Sequence, residues 1–279
     1  MNILRKAATA LLLAATLSAC AMTPPAPAER VLASGRNYLL LDARRGLGPA
    51  PLVVALHGGG GSASFMMQRW ADTAREQGFI LAVPNGTGRM PGAGTWNASG
   101  CCGEAQGQRV DDIAFINQVI ADAVGAAQVD QSRIFVVGFS NGGMLAHRIA
   151  IAEGRRLAGV AVVAGGMFGD EAPAQAPVPM MMIHGRRDTA VPYEGGVSPN
   201  PRVARFQTQP FLPVRQALEY WRRADGCTDA RAVETEGDAT IENYDGCAVR
   251  LVSLNQEEHG WPRGTTAMIW NFFRALPSR

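Results

Sequence analysis

The chain has 279 residues, of which 47% are hydrophobic and 18% charged, and its formal net charge is +2 at pH 7. That length and balance suit a single folded domain with a sizeable core, and they exclude a long disordered chain or a coiled coil. The small charge and the lack of a Lys/Arg-rich run give no footing for a nucleic-acid partner.

The first residues read as an export signal. Arg5 and Lys6 precede the apolar run "AATALLLAATL", which is well short of the ~20 residues that a membrane-spanning helix needs. "LSAC" ends at Cys20 and resembles a bacterial lipobox, which implies a signal peptide over 1–19, lipidation of Cys20 and attachment to a membrane. The alternative is a plain signal peptide cut near Ala19 or Ala21. Ala21, in place of an aspartate, resembles the outer-membrane sorting pattern of Gram-negative bacteria. The expected location is therefore exported: an outer-membrane lipoprotein, or a periplasmic or extracellular protein. "AMTPPAPAER" reads as a flexible tether, placed at 20–34, ahead of one domain over 35–279.

Strand-like apolar runs then alternate with helix-like segments. "NYLLLDA" (37–43) and "PLVVALH" (51–57) read as strands, 62–78 as a helix with an N-cap serine and a closing glycine, and "FILAVP" (79–84) as a strand. A glycine-rich loop leads to an amphipathic helix at 110–127 with acidic residues at its start. "SRIFVVGF", "LAGVAVVAGG", "PVPMMMIHG" and "VRLVSLN" read as strands; "NGGMLAHRIAIAEG", "VRQALEYWRRA" and "TTAMIWNFFRAL" read as helices. Continuous apolar strands separated by helices predict an α/β fold, a mostly parallel sheet with helices on both faces. The proline-punctuated stretch 194–213 is long for a loop in a compact domain, a length that usually marks a functional or mobile segment.

Export makes the cysteines informative. Apart from Cys20 the chain has Cys101, Cys102, Cys227 and Cys247, an even number for an oxidising compartment. Four cysteines allow three pairings. Cys227–Cys247 is favoured, since closing that loop stabilises the fold by roughly 3 kcal/mol on a chain-entropy argument. Cys101 and Cys102 are then a vicinal disulfide or two free thiols. The chain has no C-x-x-C pair and its histidines are scattered, so no metal site is expected.

"GFSNGG" (138–143), at the end of an apolar run, places Ser140 between glycines at ±2. A strand-to-helix nucleophile elbow needs that pattern, because side chains at ±2 would collide with the strained turn. A serine needs a base, and the base needs a carboxylate to orient it. His57 belongs to a glycine-rich turn, His147 lies two helical turns past Ser140, and His184 ends a strand. His259 alone lies downstream of every candidate acid. Asp188, a few residues after a strand, is the expected acid; Asp111, Asp112 and Asp170 are its rivals, the first two beginning a helix where acids are favoured structurally. Ser140, Asp188, His259 is the chain order of α/β-hydrolases. "LHGGGG" (56–61) follows a central strand and suits an oxyanion turn, with donors expected from Gly59 and Asn141.

Taken together, "LHGGGG", "TWNASGCCG" with "VDDIAFI", "GFSNGGM", "IHGRRDTAVPYEGG", the two "GC" pairs and "HGWP" resemble the secreted polyhydroxybutyrate depolymerase-like and feruloyl esterase-like α/β-hydrolases. The resemblance spans about 50–262 and implies nucleophile, acid and base at Ser140, Asp188 and His259. It also implies that Trp96 and Trp261 flank the substrate pocket. One departure stands out: "EEH" replaces a double glycine before the histidine, which puts acidic residues near that rim. The implied function is a secreted serine ester hydrolase without a cofactor. Its substrates would be feruloyl-type polysaccharide esters or short 3-hydroxyalkanoate esters. A serine peptidase of similar fold, or a non-catalytic envelope lipoprotein that binds a partner, are the alternatives.

Overall fold

A computed structural model describes residues 25–279; the expected signal peptide and Cys20 lie outside the described residues. The elements in chain order are β1 Ala28–Val31, β2 Asn37–Asp42, β3 Ala50–Leu56, α1 Ala63–Gln77, β4 Ile80–Pro84, α2 Gly103–Gly107, α3 Asp112–Ala126, β5 Val129–Phe139 and α4 Asn141–Glu153. They continue with β6 Gly159–Val163, β7 Met180–Gly185, α5 Pro201–Ala204, α6 Val214–Ala224, β8 Arg231–Glu236, β9 Ala239–Tyr244, β10 Val249–Leu254 and α7 Thr265–Ala275.

The strands form one ten-stranded sheet in the order β1-β2-β4-β3-β5-β6-β7-β10-β9-β8. The central strands β4, β3, β5, β6, β7 and β10 run parallel. Antiparallel β2 and β1 close one edge, and β9 and β8 the other. Side chains alternate across the sheet with the strand period of two. Leu52, Val54 and Leu56 of β3, with Val136 of β5 and Met180 and Met182 of β7, join a core with α3, α4 and α6. Val53 and Ala55, with Phe135, Val137 and Met181, join a second core with α1 and α7. Both faces are covered, which is why these strands read as continuous apolar runs rather than alternating ones.

Four segments depart from the sequence reading. Residues 28–31, expected in the tether, form β1 paired antiparallel with β2. The pair β8–β9 was not foreseen: β8, "RAVETE", is exposed at every position and carries no apolar signal, although it pairs in full register with β9. The short helices α2 and α5 lie in segments read as loops. Cys227 and Cys247 are bonded, with Cα atoms 5.0 Å apart, and tie the end of α6 to the turn between β9 and β10. Cys101 and Cys102 are bonded to each other, the first of the two alternatives for that pair.

Asp225 ends α6 and accepts a hydrogen bond at 2.9 Å from the amide of Val178, just ahead of β7. Burial pushes its pKa up to about 6, against the opposing effects of that amide and Arg279. A carboxyl whose folded pKa lies above its unfolded value holds its proton more tightly in the folded state, so stability falls as pH rises through that window. Asp225→Asn keeps the acceptor and removes the charge. We expect it to match the wild type below pH 4 and to raise Tm by about 2–4 °C at pH 7.5 in thermal melts. A pH-independent difference would contradict this.

Candidate active site

β5 delivers Ser140 to the C-terminal edge of the sheet, beside the end of β3 and at the point where the chain order reverses across the sheet. In open α/β sheets this is where ligand crevices form. Ser140 has φ 52° and ψ −121°, a region that non-glycine residues rarely occupy. The backbone around it holds that conformation: its amide donates to Val163 at 2.8 Å, and its carbonyl accepts from Met144 at 2.9 Å. The glycines at ±2 are sterically required. A β-carbon at Gly138 would run into the carbonyl oxygen of Gly142, and one at Gly142 into that of His57.

His259 follows β10, and its Nε2 lies 2.9 Å from Ser140 Oγ. Its Nδ1 lies 2.7 Å from Asp188 Oδ2. Asp188 stands on the turn after β7, the strand paired with β10, so both loops leave the same rim. Its side chain is wholly buried and fully occupied. Oδ1 accepts from the amides of Ala190 at 2.8 Å and Val191 at 2.7 Å, and His184 Nε2 lies 3.4 Å from Oδ2. Burial alone would push the Asp188 pKa up, but the hydrogen bonds from His184 and His259 outweigh it and hold the pKa well below the usual carboxylate range. A carboxylate that accepts at Nδ1 leaves the His259 Nε2 lone pair facing the serine hydroxyl.

His184 is the residue that sequence reasoning missed. The sequence reads it as the end of a strand, yet its Nε2 lies 3.4 Å from Asp188 Oδ2 and 2.8 Å from the Val191 carbonyl, on the segment that also supplies two amides to Asp188. Its place in "IHGRRD", four residues before the acid, is the only signal that could have found it. His57 and His147 are buried, and desolvation lowers their pKa values to about 4 and about 3 respectively. His57 Nε2 accepts from the Gly86 amide at 2.9 Å, and His147 Nδ1 accepts from the Trp221 indole at 3.0 Å. The rival acids are placed elsewhere. Asp112 is buried against Arg36 at 2.8 Å and accepts from the Asn97 amide, Asp111 caps α3 through Ala114, and Asp170 accepts from Ser99 on the surface.

Gly59 and Asn141 both border the cavity in front of Ser140, and a β-carbon at Gly59 would touch the Asn141 side chain. Among the described residues neither amide has a protein acceptor. The Asn141 side chain clamps Trp96: Oδ1 accepts from the Trp96 amide at 2.7 Å, and Nδ2 donates to its carbonyl at 3.0 Å. The Trp96 indole in turn donates to the His57 carbonyl at 2.8 Å.

The expectation that Trp96 and Trp261 flank the pocket is corrected. Trp96 is fully buried, stacked towards His57 and Phe115, and faces the core rather than the cavity. Its indole N–H needs a partner when buried, and the His57 carbonyl supplies it. Trp261 packs edge-on against Phe139 and Trp70 and donates to Thr266, also away from the cavity. Phe139 stacks on the His259 ring at 5.2 Å, so Trp261 backs the histidine at second hand.

Ser140, Asn141 and His259 open onto a cavity of about 1150 Å³. One wall comes from residues 88–108 and the other from 200–208, and Met144, Ala190 and Val191 complete its base. Thr208 joins the walls through its amide to the Gly100 carbonyl at 2.8 Å and accepts from Gln106 at 3.0 Å. Among the described residues, no three His, Cys, Asp or Glu side chains are grouped as metal ligands would be. Nor is any helix there long and apolar enough to cross a membrane.

The profile of the phospholipase/carboxylesterase family matches residues 45–210. NocK of Nocardia uniformis subsp. tsuyamanensis, whose name designates an esterase, is 31% identical over 236 residues, which are 77% of this chain and 66% of that protein. Feruloyl esterase B of Piromyces equi is 29% identical over 244 residues, 81% of this chain and 42% of that protein. The chain thus spans less than two thirds of the length of these two relatives. An acetyl xylan esterase from Aspergillus awamori superposes with a TM-score of 0.65 at 16% identity, covering 89% of this chain and 99% of that one, which is a likeness of fold.

The fit of Gly142 is testable by stability alone. Gly142→Ala is expected to cost about 3 kcal/mol, or roughly 6–12 °C in Tm, because backbone rather than a movable side chain meets the new methyl. Gly107→Ala, which meets nothing within 4 Å, should melt within about 2 °C of the wild type.

Proposed function

Because the chain belongs to the phospholipase/carboxylesterase family of α/β-hydrolases, we propose that it is a serine carboxylic-ester hydrolase working through an acyl-enzyme. The observation that carries this reading is the continuous relay from Ser140 Oγ to His259 Nε2 at 2.9 Å and from Nδ1 to Asp188 Oδ2 at 2.7 Å. Ser140 attacks the ester carbonyl as His259 takes the hydroxyl proton. Asp188, held ionised, fixes the imidazole tautomer and stabilises the imidazolium. The amides of Gly59 and Asn141 take the negative charge of the tetrahedral intermediate. His259 then protonates the departing alcohol, and water, activated by the same histidine, releases the acid and restores Ser140.

For substrate we retain two classes, feruloyl-type esters on polysaccharide and short 3-hydroxyalkanoate esters. The name of the Piromyces relative supports the first, and the partly apolar cavity accommodates either. Residues 1–19 are proposed as the export signal and Cys20 as the lipid anchor, with the domain held outside the cytoplasm.

Ser140→Ala is expected to abolish hydrolysis of p-nitrophenyl acetate, with a loss in kcat of at least 10⁴-fold, and to abolish labelling by a fluorophosphonate. Asp188→Asn should lower kcat about 10³–10⁴-fold with a smaller change in KM. Undiminished turnover by Ser140→Ala would refute the assignment. A wild type that neither turns over esters nor takes the label would instead favour a binding protein.

A further inference from the structure

We infer that the cavity is built for an ester that carries a carboxylate, held by Arg202 and Arg205 at the mouth while the scissile carbonyl sits at Ser140; this rests on the ester-hydrolase reading above. The cavity lining contains Arg89, Arg202 and Arg205 against one acid, Glu104, so three positive charges less one negative leave +2. Arg89 is already satisfied by Glu104 at 2.7 Å. The other two are not. Among the described residues neither guanidinium makes an ion pair or a hydrogen bond, and Arg205 only lies over the Phe206 ring at 4.4 Å.

Arg30, Arg36, Arg44, Arg215 and Arg222 each have a carboxylate partner. Other described arginines, Arg109, Arg148, Arg155, Arg187, Arg223 and Arg263, also lack such a partner, as Arg202 and Arg205 do, but of these eight only Arg202 and Arg205 line the cavity. Arg202 and Arg205 lie three residues apart on one helical turn, α5 and its C-cap, so their stems leave the same side and their charges repel. A ligand carboxylate relieves that repulsion and matches the planar guanidinium fork. The same lining includes the buried apolar side chains of Met144 and Val191 and the half-buried Val203, whereas both arginines are exposed. The pattern fits a substrate with an apolar body and a single anionic end. A neutral sugar or an alkyl ester leaves the two arginines without a partner.

Two sources share this chemistry. A 3-hydroxyalkanoate oligomer ends in a free carboxylate, and a polysaccharide can carry uronic acid units beside its ester. The test compares kcat/KM in matched pairs on the purified protein: 3-hydroxybutyrate dimer against its methyl ester, and feruloylated galacturonate against feruloylated arabinose. p-Nitrophenyl acetate turnover and fluorophosphonate labelling report the esterase itself. We expect the charged member of at least one pair to be favoured about tenfold at 20 mM salt, with that preference falling to about twofold at 0.5 M as screening sets in. The pair that shows it names the source. The double variant Arg202→Ala with Arg205→Ala should lose the preference through KM, and Arg202→Lys with Arg205→Lys should keep most of it. An active enzyme with no preference in either pair, or an Ala variant that retains the preference, overturns the inference and leaves the hydrolase reading standing. An enzyme inert to every ester and to the label overturns that reading as well.

Discussion

The close approach of α4 to the end of β3 is the constraint from which the site follows. The Gly142 Cα comes so near the carbonyls of Leu56 and His57 that no side chain fits between them. With α4 seated there, the connection from β5 must turn within one residue, and Ser140 takes a positive φ that costs on the order of 1–3 kcal/mol. The same seating sets the start of α4 beside the 57–61 turn, so the amides of Asn141 and Gly59, without an acceptor among the described residues, border the same cavity. The positive end of a helix dipole favours negative charge at that place. Trp96 keeps the two sides in register: its backbone is bound by Asn141 and its indole by the His57 carbonyl.

A second close approach sets the other half of the site. β7 and β10 are paired in parallel, with His184 opposite Ser253 and Gly185 opposite Leu254, so the loops that follow them rise together. A β-carbon at Gly185 would strike the backbone carbonyls of Glu257 and Glu258, which pass directly over it on the way to His259. The acidic pair in "EEH" therefore contributes its backbone to the site. Both glutamate side chains are exposed, and neither borders the cavity. Burying the Asp188 charge is costly in itself and is sustained only because each oxygen has donors. Ala190, Val191, His184 and His259 supply them. The carboxylate is thus held by protein donors, and the imidazole is its link to Ser140.

Much of this was legible in the chain because strand burial and backbone crowding leave marks in sequence. The central strands stand out as "PLVVAL", "RIFVVGF" and "PMMMIHG" since both faces are covered, and Gly138, Gly142 and Gly185 mark the places where backbones meet. The edge pair β8–β9 left no such mark, because an exposed strand such as "RAVETE" is held by its ladder and not by apolar burial. The two tryptophans were misplaced for a related reason. An aromatic in a glycine-rich segment near the site can face the ligand or brace the loop, and only the partner of its indole N–H distinguishes these. For Trp96 that partner is the His57 carbonyl, 39 residues away in the chain.

The cavity walls were the least legible part, and the physical reason also separates them from the chemistry beneath. Ser140 follows β5, and Asp188 and His259 lie on the loops after the paired strands β7 and β10, at one edge of the parallel sheet. Residues 88–108 and 200–208 reach the cavity as loops, joined to each other chiefly through Thr208. Their side chains make no hydrogen bond to the relay, so the wall's charge can change without moving the serine or the histidine. Their effect on the relay is through the field. On the proposed mechanism, the charges of Arg202 and Arg205 act in the same sense as the Gly59 and Asn141 amides, favouring negative charge on a substrate oxygen at Ser140. Being exposed to water, they act more weakly than the buried donors and lose strength with salt. A scaffold of this kind holds the relay in backbone contacts that tolerate little change and leaves the cavity wall to side chains that tolerate much more.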